Sequence, residues 1–208
     1  MSNIFLLGKP GSGKGTVSEF LIQKGFCSLS TGNLLRQEAT KDTTRGKGIA
    51  HLLTTGKFAS NELIFELVFD FLEENKGKPI LFDGFPRNLQ QLEACLEKNL
   101  VFNQCIELDA SDELVSKRIS GRRVHIPSGR VYNIYSKPPQ KEGLDDVTGE
   151  PLVQREDDNE EVLKTRLELY KTMTEPLKNA LISKGVPILT INAGLSLDEQ
   201  ISLITNKL

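Results

Sequence analysis

The sequence predicts an α/β protein, in which an open parallel sheet of five strands is flanked by helices and carries two inserted segments. Short apolar runs alternate along the chain with longer amphipathic stretches, and these runs lie at residues 4–7, 26–29, 79–82, 105–108 and 186–191. Their apolar residues are continuous, which is typical of strands buried on both faces of a parallel sheet. Helical stretches between them predict right-handed crossover connections.

Helix signals mark the connections between the strands. Apolar residues recur on one face of residues 61–75 at helical spacing. Ser111 is a candidate N-cap, and Ser196 with Glu199 has the spacing of a capping box. Pro176 lies inside a long helical pattern and predicts that this helix is kinked or divided in two.

Two segments interrupt the alternation of strands and helices. The first is helical but lacks strand signals, and the second has almost no helical periodicity although it is too long for a connecting loop. We therefore expect a core built from residues 1–29, 60–120 and 159–208, a helical insertion at 30–59 and a small β-rich insertion at 121–158.

The composition describes an ordinary globular protein and excludes a fibrous or disordered chain. Of 208 residues, 26 are Lys or Arg and 28 are Asp or Glu, so the net charge of -2 gives no global field to hold nucleic acid or an anionic membrane. No apolar run approaches the length of a membrane helix, and no signal peptide is expected. Cys27, Cys95 and Cys105 lack metal-ligand spacing and are expected to be small buried residues. Cysteines of this kind indicate a reducing compartment, so we expect a cytoplasmic protein.

Residues 8–16, G-K-P-G-S-G-K-G-T, follow the first strand and open a helix. The glycines allow successive N–H groups to point at a phosphate, and Lys14 adds a positive charge at the helix N-terminus. Gly15 follows the lysine, so the hydroxyl comes one position late, at Thr16, and Mg²⁺ is expected to be held mainly by nucleotide phosphates and water. The alternative is a glycine-rich turn without a ligand.

Further motifs follow in order along the chain. They are S-T-G-N-L-L-R at residues 30–36, D-G-F-P-R at 83–87 with Gln91, G-R-R at 121–123, and the acidic pair at 157–158 with Arg166. Together with the phosphate loop, this set resembles the adenylate kinases in their long form with a large lid, over essentially the whole chain. The resemblance implies a P-loop core, a helical AMP-binding insertion and a lid.

The resemblance also implies the reaction and its partners. A member of this family transfers a phosphoryl group between ATP and AMP to give two ADP, with Mg²⁺ bound to ATP. Positioning and electrostatics supply most of the catalysis in such a transfer. The expected partners are the small molecules ATP, AMP and ADP, without nucleic acid or membrane, and a cytoplasmic monomer is expected.

Site residues are carried over from the family's motifs. Those expected to contact ATP are Gly11, Ser12, Gly13, Lys14, Gly15, Thr16, Arg118, Arg122, Val131, Tyr132 and Leu195. Those expected to contact AMP are Thr31, Arg36, Lys57, Phe58, Ala59, Gly84, Phe85, Pro86, Arg87, Gln91, Arg155 and Arg166. The expected catalytic group is Lys14, Arg87, Arg122, Arg155 and Arg166, because guanidinium groups bind phosphates in a bidentate manner.

Three of these expectations concern single side chains. The resemblance implies that Arg118 lies against the ATP adenine and that Asp83 orients magnesium-bound water. Gln91 is expected to read the edge of the acceptor adenine, because an amide both donates and accepts. With Thr31, it favours AMP as the acceptor.

Some members of the family fold the lid around zinc. The corresponding positions here are His125, Ser128, Asp145 and Thr148, and the set contains no cysteine. These residue types hydrogen-bond with one another but make a poor structural zinc site. We therefore expect a zinc-free lid in which His125 is a hydrogen-bonded structural residue.

Three positions depart from the usual pattern of the family. Asn33 stands where aspartate is common, Val17 where glutamine is frequent, and Ser136 where an aromatic ring often packs on the ATP adenine. Tyr135 is a candidate replacement for that ring. A related kinase with GTP as donor or CMP or UMP as acceptor is an alternative, as is a nucleotide-binding protein without catalysis.

Overall fold

A five-stranded parallel sheet forms the centre of the computed structural model, which describes residues 3–207. In chain order the strands are β1 (Ile4–Gly8), β2 (Cys27–Ser30), β3 (Ile80–Asp83), β4 (Gln104–Asp109), β5 (Arg122–Val124), β6 (Val131–Asn133) and β7 (Ile188–Asn192). The sheet has the order β2-β3-β1-β4-β7, and its strands are the five that the sequence predicts. The expected α/β class is confirmed.

Helices connect the strands. They are α1 (Lys14–Gln23), α2 (Thr31–Ala39), α3 (Thr44–Thr55), α4 (Asn61–Glu74), α5 (Leu89–Glu97), α6 (Asp112–Gly121), α7 (Glu160–Leu169), α8 (Pro176–Ser183) and α9 (Leu197–Thr205). A π-helical segment, Tyr170–Thr174, joins α7 to α8. Within residues 3–207, no helix is long and apolar enough to cross a membrane.

The central strand is buried on both of its faces. Ile4 and Leu6 belong to one apolar cluster, and Phe5 and Leu7 belong to another on the opposite side of the sheet. Each of these four side chains is at most 1% exposed. Burial of one such side chain contributes roughly 1.5–3 kcal/mol, which explains why the strand is continuously apolar.

The helix ends follow the sequence signals. Ser111 Oγ accepts a hydrogen bond from the Leu114 N–H at 3.2 Å, and Ser196 with Glu199 forms a complete capping box. The predicted division at Pro176 is confirmed, because α8 begins at this residue, where the missing N–H costs no helical hydrogen bond.

The two interrupting segments differ in secondary structure. Residues 30–59 contain α2 and α3, whereas residues 121–158 contain the antiparallel β5–β6 hairpin. Isolated bridges join Val124 to Val153 and Leu144 to Pro151 within the second segment. These elements have the helical and β-rich character expected from the sequence.

Two of the three cysteines are buried as expected. Burial raises the pKa of Cys95 and of Cys105 to about 12, so both thiols are neutral at physiological pH. The expectation is wrong for Cys27, which is only partly buried because β2 lies at an edge of the sheet.

Gly56 ends α3 in the left-handed region, with φ +70°, where it lies against α7. A Cβ atom at this position would lie 2.8 Å from Val162 Cγ1, whereas one at Gly77, which has φ +87°, would meet nothing within 4 Å. We expect Gly56→Ala to lower the free energy of unfolding by about 3 kcal/mol, the sum of left-handed strain and overpacking. Gly77→Ala is the matched control, with a loss of about 1 kcal/mol from the strain alone. Urea unfolding measures both losses, and equal losses would contradict the proposed packing cost.

Candidate active site

The expected ligand-binding residues follow three neighbouring strands, at the end of the sheet where the carboxyl ends of the strands lie. The phosphate loop follows β1, Thr31 and Arg36 lie in α2 after β2, and Asp83 ends β3. Because β2, β3 and β1 are adjacent and parallel, their carboxyl ends meet at the same place. The topology therefore gathers motifs that are far apart in the sequence.

The phosphate loop joins β1 directly to the N-terminus of α1. Gly13 precedes the helix with φ +106°, a conformation in which a side chain would be strained. The Lys14 Nζ donates to the carbonyl oxygens of Gly8 at 2.6 Å and Lys9 at 2.9 Å. The Oγ of Ser12 is buried without a hydrogen-bond partner among the described residues. The two hydrogen bonds of Lys14 thus hold its side chain against the backbone of the loop.

The environment of Lys14 disfavours its positive charge. Burial lowers the pKa of Lys14 to about 8, the carboxylate of Asp83 opposes this shift, and the charges of Arg87 and Arg122 add to it. An anionic ligand near Lys14 would reverse the effect of the two arginines. The lysine is therefore placed for interaction with a phosphate.

Arg87 is fixed at the turn that follows β3. Its Nε donates to the Gly84 carbonyl at 2.7 Å, and its guanidinium lies 5.1 Å from the centre of the Phe58 ring. The Oγ1 of Thr31 donates to the same carbonyl at 2.7 Å. Burial lowers the pKa of Arg87 to about 10, which leaves it positively charged at neutral pH.

Several residues near Arg87 that are expected to contact AMP differ in their exposure to solvent. Phe85 and Pro86 are buried, so their side chains do not face solvent, and Ala59 packs against the apolar cluster that contains Phe5. Lys57 is exposed. Phe58 thus places its ring next to the Arg87 guanidinium, whereas the Lys57 side chain faces solvent.

Two adjacent aspartates accept hydrogen bonds from three of the arginines that are expected at the site. Asp157 Oδ2 accepts from Arg36 Nη2 at 3.1 Å and also from Arg166. Asp158 Oδ2 accepts from Arg122 Nε at 2.7 Å. Burial favours the neutral form of Asp157, but the charges of Arg166 and Arg36 outweigh it and hold the pKa of the carboxyl below its usual value.

Arg155 differs from these arginines. It forms no ion pair within residues 3–207, although Asp157 and Asp158 are close enough to affect it. Burial lowers its pKa to about 9, and the charges of Arg36 and Arg122 act in the same direction. Arg155 therefore carries a positive charge that is not paired with a carboxylate within the described residues, which suits a ligand with several negative charges.

Gln91 lies on α5 beside the Arg87 turn and is 3% exposed. Its Oε1 accepts from the backbone N–H of Arg87 at 2.7 Å, and its Nε2 donates to Asn61 Oδ1 at 2.9 Å. One lone pair of the oxygen and one hydrogen of the nitrogen remain after these contacts. No sequence motif points to the part played by Asn61.

Arg118 links the phosphate loop to the end of β7. Its Nη1 donates to the Ser12 carbonyl and its Nη2 to the Ala193 carbonyl, each at 2.7 Å. Leu195 follows two residues later in the same loop. Asn133 Nδ2 donates to the Arg118 carbonyl at 2.8 Å and brings β6, with Val131, to this side of the molecule.

Tyr132 in β6 and Tyr135, which follows this strand, differ in their exposure to solvent. Tyr132 is 5% exposed and its hydroxyl donates to Asp145 Oδ1 at 3.0 Å, so its ring faces the interior of the β-rich segment and is not available for stacking. Tyr135 is 57% exposed, and the Lys117 Nζ lies 5.6 Å from its ring centre. Tyr135 is thus the aromatic ring of this segment that faces solvent.

The four positions compared with zinc ligands form a hydrogen-bonded group. His125 Nδ1 and Ser128 Oγ are 2.7 Å apart, and Thr148 Oγ1 donates to Asp145 Oδ2 at 3.0 Å. Arg130 also donates to Asp145, through Nη2 at 2.6 Å. The hydrogen bond from Arg130 is the largest cause that holds the pKa of Asp145 far below its usual range.

Residues 6–186 match the family model described as adenylate kinase. The chain belongs to the adenylate kinase family. Its members are phosphotransferases, so the protein is a nucleoside monophosphate kinase in the general sense.

Asp83 is the residue whose surroundings decide whether the site suits a magnesium ion, which kinases of this family generally use with ATP. Its carboxylate makes no hydrogen bond or ion pair within the part of the chain that is described, and it is close enough to Lys14 to raise the pKa of that lysine. A free carboxylate suits Mg²⁺, which binds oxygen ligands and keeps most of its water. Across residues 3–207, no group of three or more His, Cys, Asp and Glu side chains is arranged to hold a metal ion by itself.

We expect ATP binding to be accompanied by uptake of a proton at Lys14. At pH about 8.5 a lysine with a pKa of about 8 is mostly neutral, and a nearby phosphate favours its charged form. Calorimetric titration in two buffers of different ionisation enthalpy measures the uptake, which should be larger at pH 8.5 than at pH 6.5. Lys14→Arg is the control, because arginine stays charged. Equal uptake in both proteins would assign the proton to another group.

We expect Asp145→Asn to destabilise the protein near neutral pH and to matter less in acid. A carboxyl whose pKa is lower in the folded state contributes stability above its unfolded pKa of about 3.9, and this contribution falls as the pH drops toward the folded value. The difference in melting temperature from the wild type should therefore narrow from pH about 6 to pH about 3.

Asp146→Asn is the matched control for this effect. Asp146 is the next residue and is exposed, and its Oδ1 accepts from the Gln140 N–H, a contact that asparagine retains. Its melting temperature should follow that of the wild type. A difference for Asp145→Asn that stays constant with pH would exclude the carboxyl titration as its cause.

Proposed function

We propose that the protein catalyses the reversible transfer of a phosphoryl group from ATP to AMP, giving two ADP, with Mg²⁺ bound to the donor. The observation that carries this proposal is that two groups of positively charged side chains follow the carboxyl ends of the parallel strands. One is the loop around Lys14, and the other contains Arg36 and Arg87. A nucleotide-binding switch needs only the first group.

The division of the chain into three units is part of the proposal. Residues 1–29, 60–120 and 159–208 form the core, residues 30–59 bind AMP, and residues 121–158 act as a lid. The different secondary structures of the two insertions support this division. Closure of the lid excludes water, which would otherwise compete with AMP for the activated phosphoryl group.

The arginines act by holding and stabilising phosphates. Arg36 and Arg87 bind the AMP phosphate, and an oxygen of that phosphate attacks the γ-phosphorus of ATP while the bond between this phosphorus and the β,γ-bridging oxygen breaks and ADP leaves. Arg122, Arg155 and Arg166 stabilise the charge that spreads over the transferred group. No side chain has to act as a nucleophile. Lys14 holds the donor phosphates. Mg²⁺, when bound, would neutralise more of their charge, and Asp83 is the residue that would hold it, through water.

The ion pairs seen in the structure support this arrangement. Arg36, Arg122 and Arg166 are paired with only two carboxylates, those of Asp157 and Asp158. Phosphates offer more acceptor oxygens and a higher negative charge, so the same guanidinium groups can turn to the substrates. The aspartates hold the arginines in place until the substrates arrive.

A related kinase with GTP as the donor is the second candidate. The donor side is equally compatible with GTP, because the Tyr132 ring is buried and Ser136 provides no ring to stack on adenine. Arg118 and the exposed Tyr135 ring are the side chains left to contact the donor base. Neither distinguishes adenine from guanine by a fixed pattern of hydrogen bonds.

We expect rapid production of ADP from ATP and AMP with Mg²⁺, and much slower turnover when CMP or UMP replaces AMP. Lys14→Ala should lower kcat/KM by at least about 100-fold, because it removes the charge that holds the donor phosphates. Lys24→Ala, at the opposite end of α1, is the control and should retain wild-type kinetics. A coupled assay for ADP measures all of these rates.

The same assay distinguishes the alternatives. Turnover with GTP but not with ATP would keep the phosphoryl transfer and change the donor. The absence of transfer from every donor and acceptor pair, together with the binding of one nucleotide per chain, would indicate a nucleotide-binding protein without catalysis.

A further inference from the structure

A connected group of side-chain amides surrounds Gln91. Gln91 and Asn88 both donate to Asn61 Oδ1, from Nε2 at 2.9 Å and from Nδ2 at 3.2 Å respectively. Asn61 Nδ2 donates in turn to Gln90 Oε1 at 2.8 Å. Asn61 is the first residue of α4, so the group joins the start of this helix to the start of α5.

Two backbone donors set the direction of these hydrogen bonds. The N–H of Arg87 donates to Gln91 Oε1 at 2.7 Å, and the N–H of Gln91 donates to Asn88 Oδ1 at 2.8 Å. Because a backbone N–H can only donate, each of these two amides has to turn its oxygen toward it and its nitrogen away. Both nitrogens then face Asn61 Oδ1, which is the acceptor that they share.

Rotation of the Gln91 amide by 180° is therefore opposed at both ends. Its nitrogen would face the Arg87 N–H, which is also a donor, and its oxygen would face Asn61 Oδ1, which is also an acceptor. Each mismatch costs a hydrogen bond and leaves a polar atom of a buried group unpaired. The order of donor and acceptor that Gln91 presents is thus fixed before a ligand binds.

This order distinguishes two kinds of purine. A 6-aminopurine offers an acceptor at N1 and a donor at its amino group, whereas a 6-oxopurine offers a donor at N1 and an acceptor at its oxygen. In one orientation of the amide, the free hydrogen on Gln91 Nε2 and the free lone pair on Oε1 face complementary atoms on only one of these two kinds of purine. The reversed amide matches the other.

We propose that Asn61 is a positioning residue that fixes the Gln91 amide and thereby makes the acceptor site select 6-aminopurine over 6-oxopurine nucleotides. This inference rests on the proposed function, in which Gln91 reads the base of AMP. Asn61 acts through Gln91 and needs no contact with the substrate. Its Oδ1 is the atom that carries the effect.

The test compares AMP with IMP, a 6-oxopurine nucleotide, as acceptors with saturating MgATP. For Asn61→Ala we expect KM for AMP to rise roughly fivefold to tenfold, the factor that corresponds to one net hydrogen bond. The preference for AMP over IMP in kcat/KM should fall by about the same factor. KM for ATP and kcat with AMP should stay close to the wild-type values.

Two further variants separate positioning from a structural effect. Asn61→Asp keeps an oxygen for Gln91 and Asn88, and it should restore both the KM for AMP and the base preference. Gln90→Ala removes only the exposed partner of Asn61 and should behave like the wild type. Alanine is well tolerated at the start of a helix, so Asn61→Ala should fold, and its melting temperature checks this.

The outcomes are distinguishable. If the wild type uses AMP and prefers it to IMP, but Asn61→Ala keeps the same KM and preference, the role of Asn61 is overturned while the proposed function stands. Loss of kcat in both Asn61 variants would also overturn it, because it would indicate a structural role. If the wild type does not use AMP, the proposed function itself fails.

Discussion

Mutual repulsion among positive charges is the constraint on which the rest of the site depends. Lys14, Arg36, Arg87 and Arg155 all have a pKa below the ordinary value, because they are buried and because the arginines act on one another. A loop alone would relax by moving its charges apart. Here Lys14, Arg36 and Arg87 lie on the turns and helices that directly follow buried parallel strands, so the sheet resists the separation of these three charges.

The dipeptide at residues 157–158 limits the cost of this repulsion and connects distant parts of the chain. Asp157 pairs with Arg36 of the helical insertion and with Arg166 of α7, and Asp158 pairs with Arg122 at the start of the β-rich segment. Because both aspartates belong to the β-rich insertion, Asp157 joins this insertion to the helical insertion and to α7, whereas the Asp158–Arg122 pair joins the two ends of the β-rich insertion to each other. The contact between the two insertions therefore depends on the charge of Arg36.

Much of the fold could be predicted because its signals are local. The strands are continuous apolar runs, and Ser111 and Ser196 cap the helices within one turn of themselves. The site was predictable only as a set of residue types. That Tyr132 turns its ring inward and that Asn61 completes the hydrogen bonding of Gln91 depend on contacts between distant segments. A sequence pattern contains no signal for such contacts, since each partner alone is an ordinary polar residue.

The order of the strands affects how the chain can fold during its synthesis. Among the five strands of the parallel sheet, β1 comes first in the chain, yet it pairs with β3 and β4, which end at Asp83 and Asp109. Its apolar segment, I-F-L-L, therefore has no partner strand until synthesis has reached Asp83. Contacts of such long sequence separation form slowly and leave apolar segments open to aggregation. Assembly of the phosphate loop, which needs β1 to be in place, thus has to wait for strands that are translated after the loop itself.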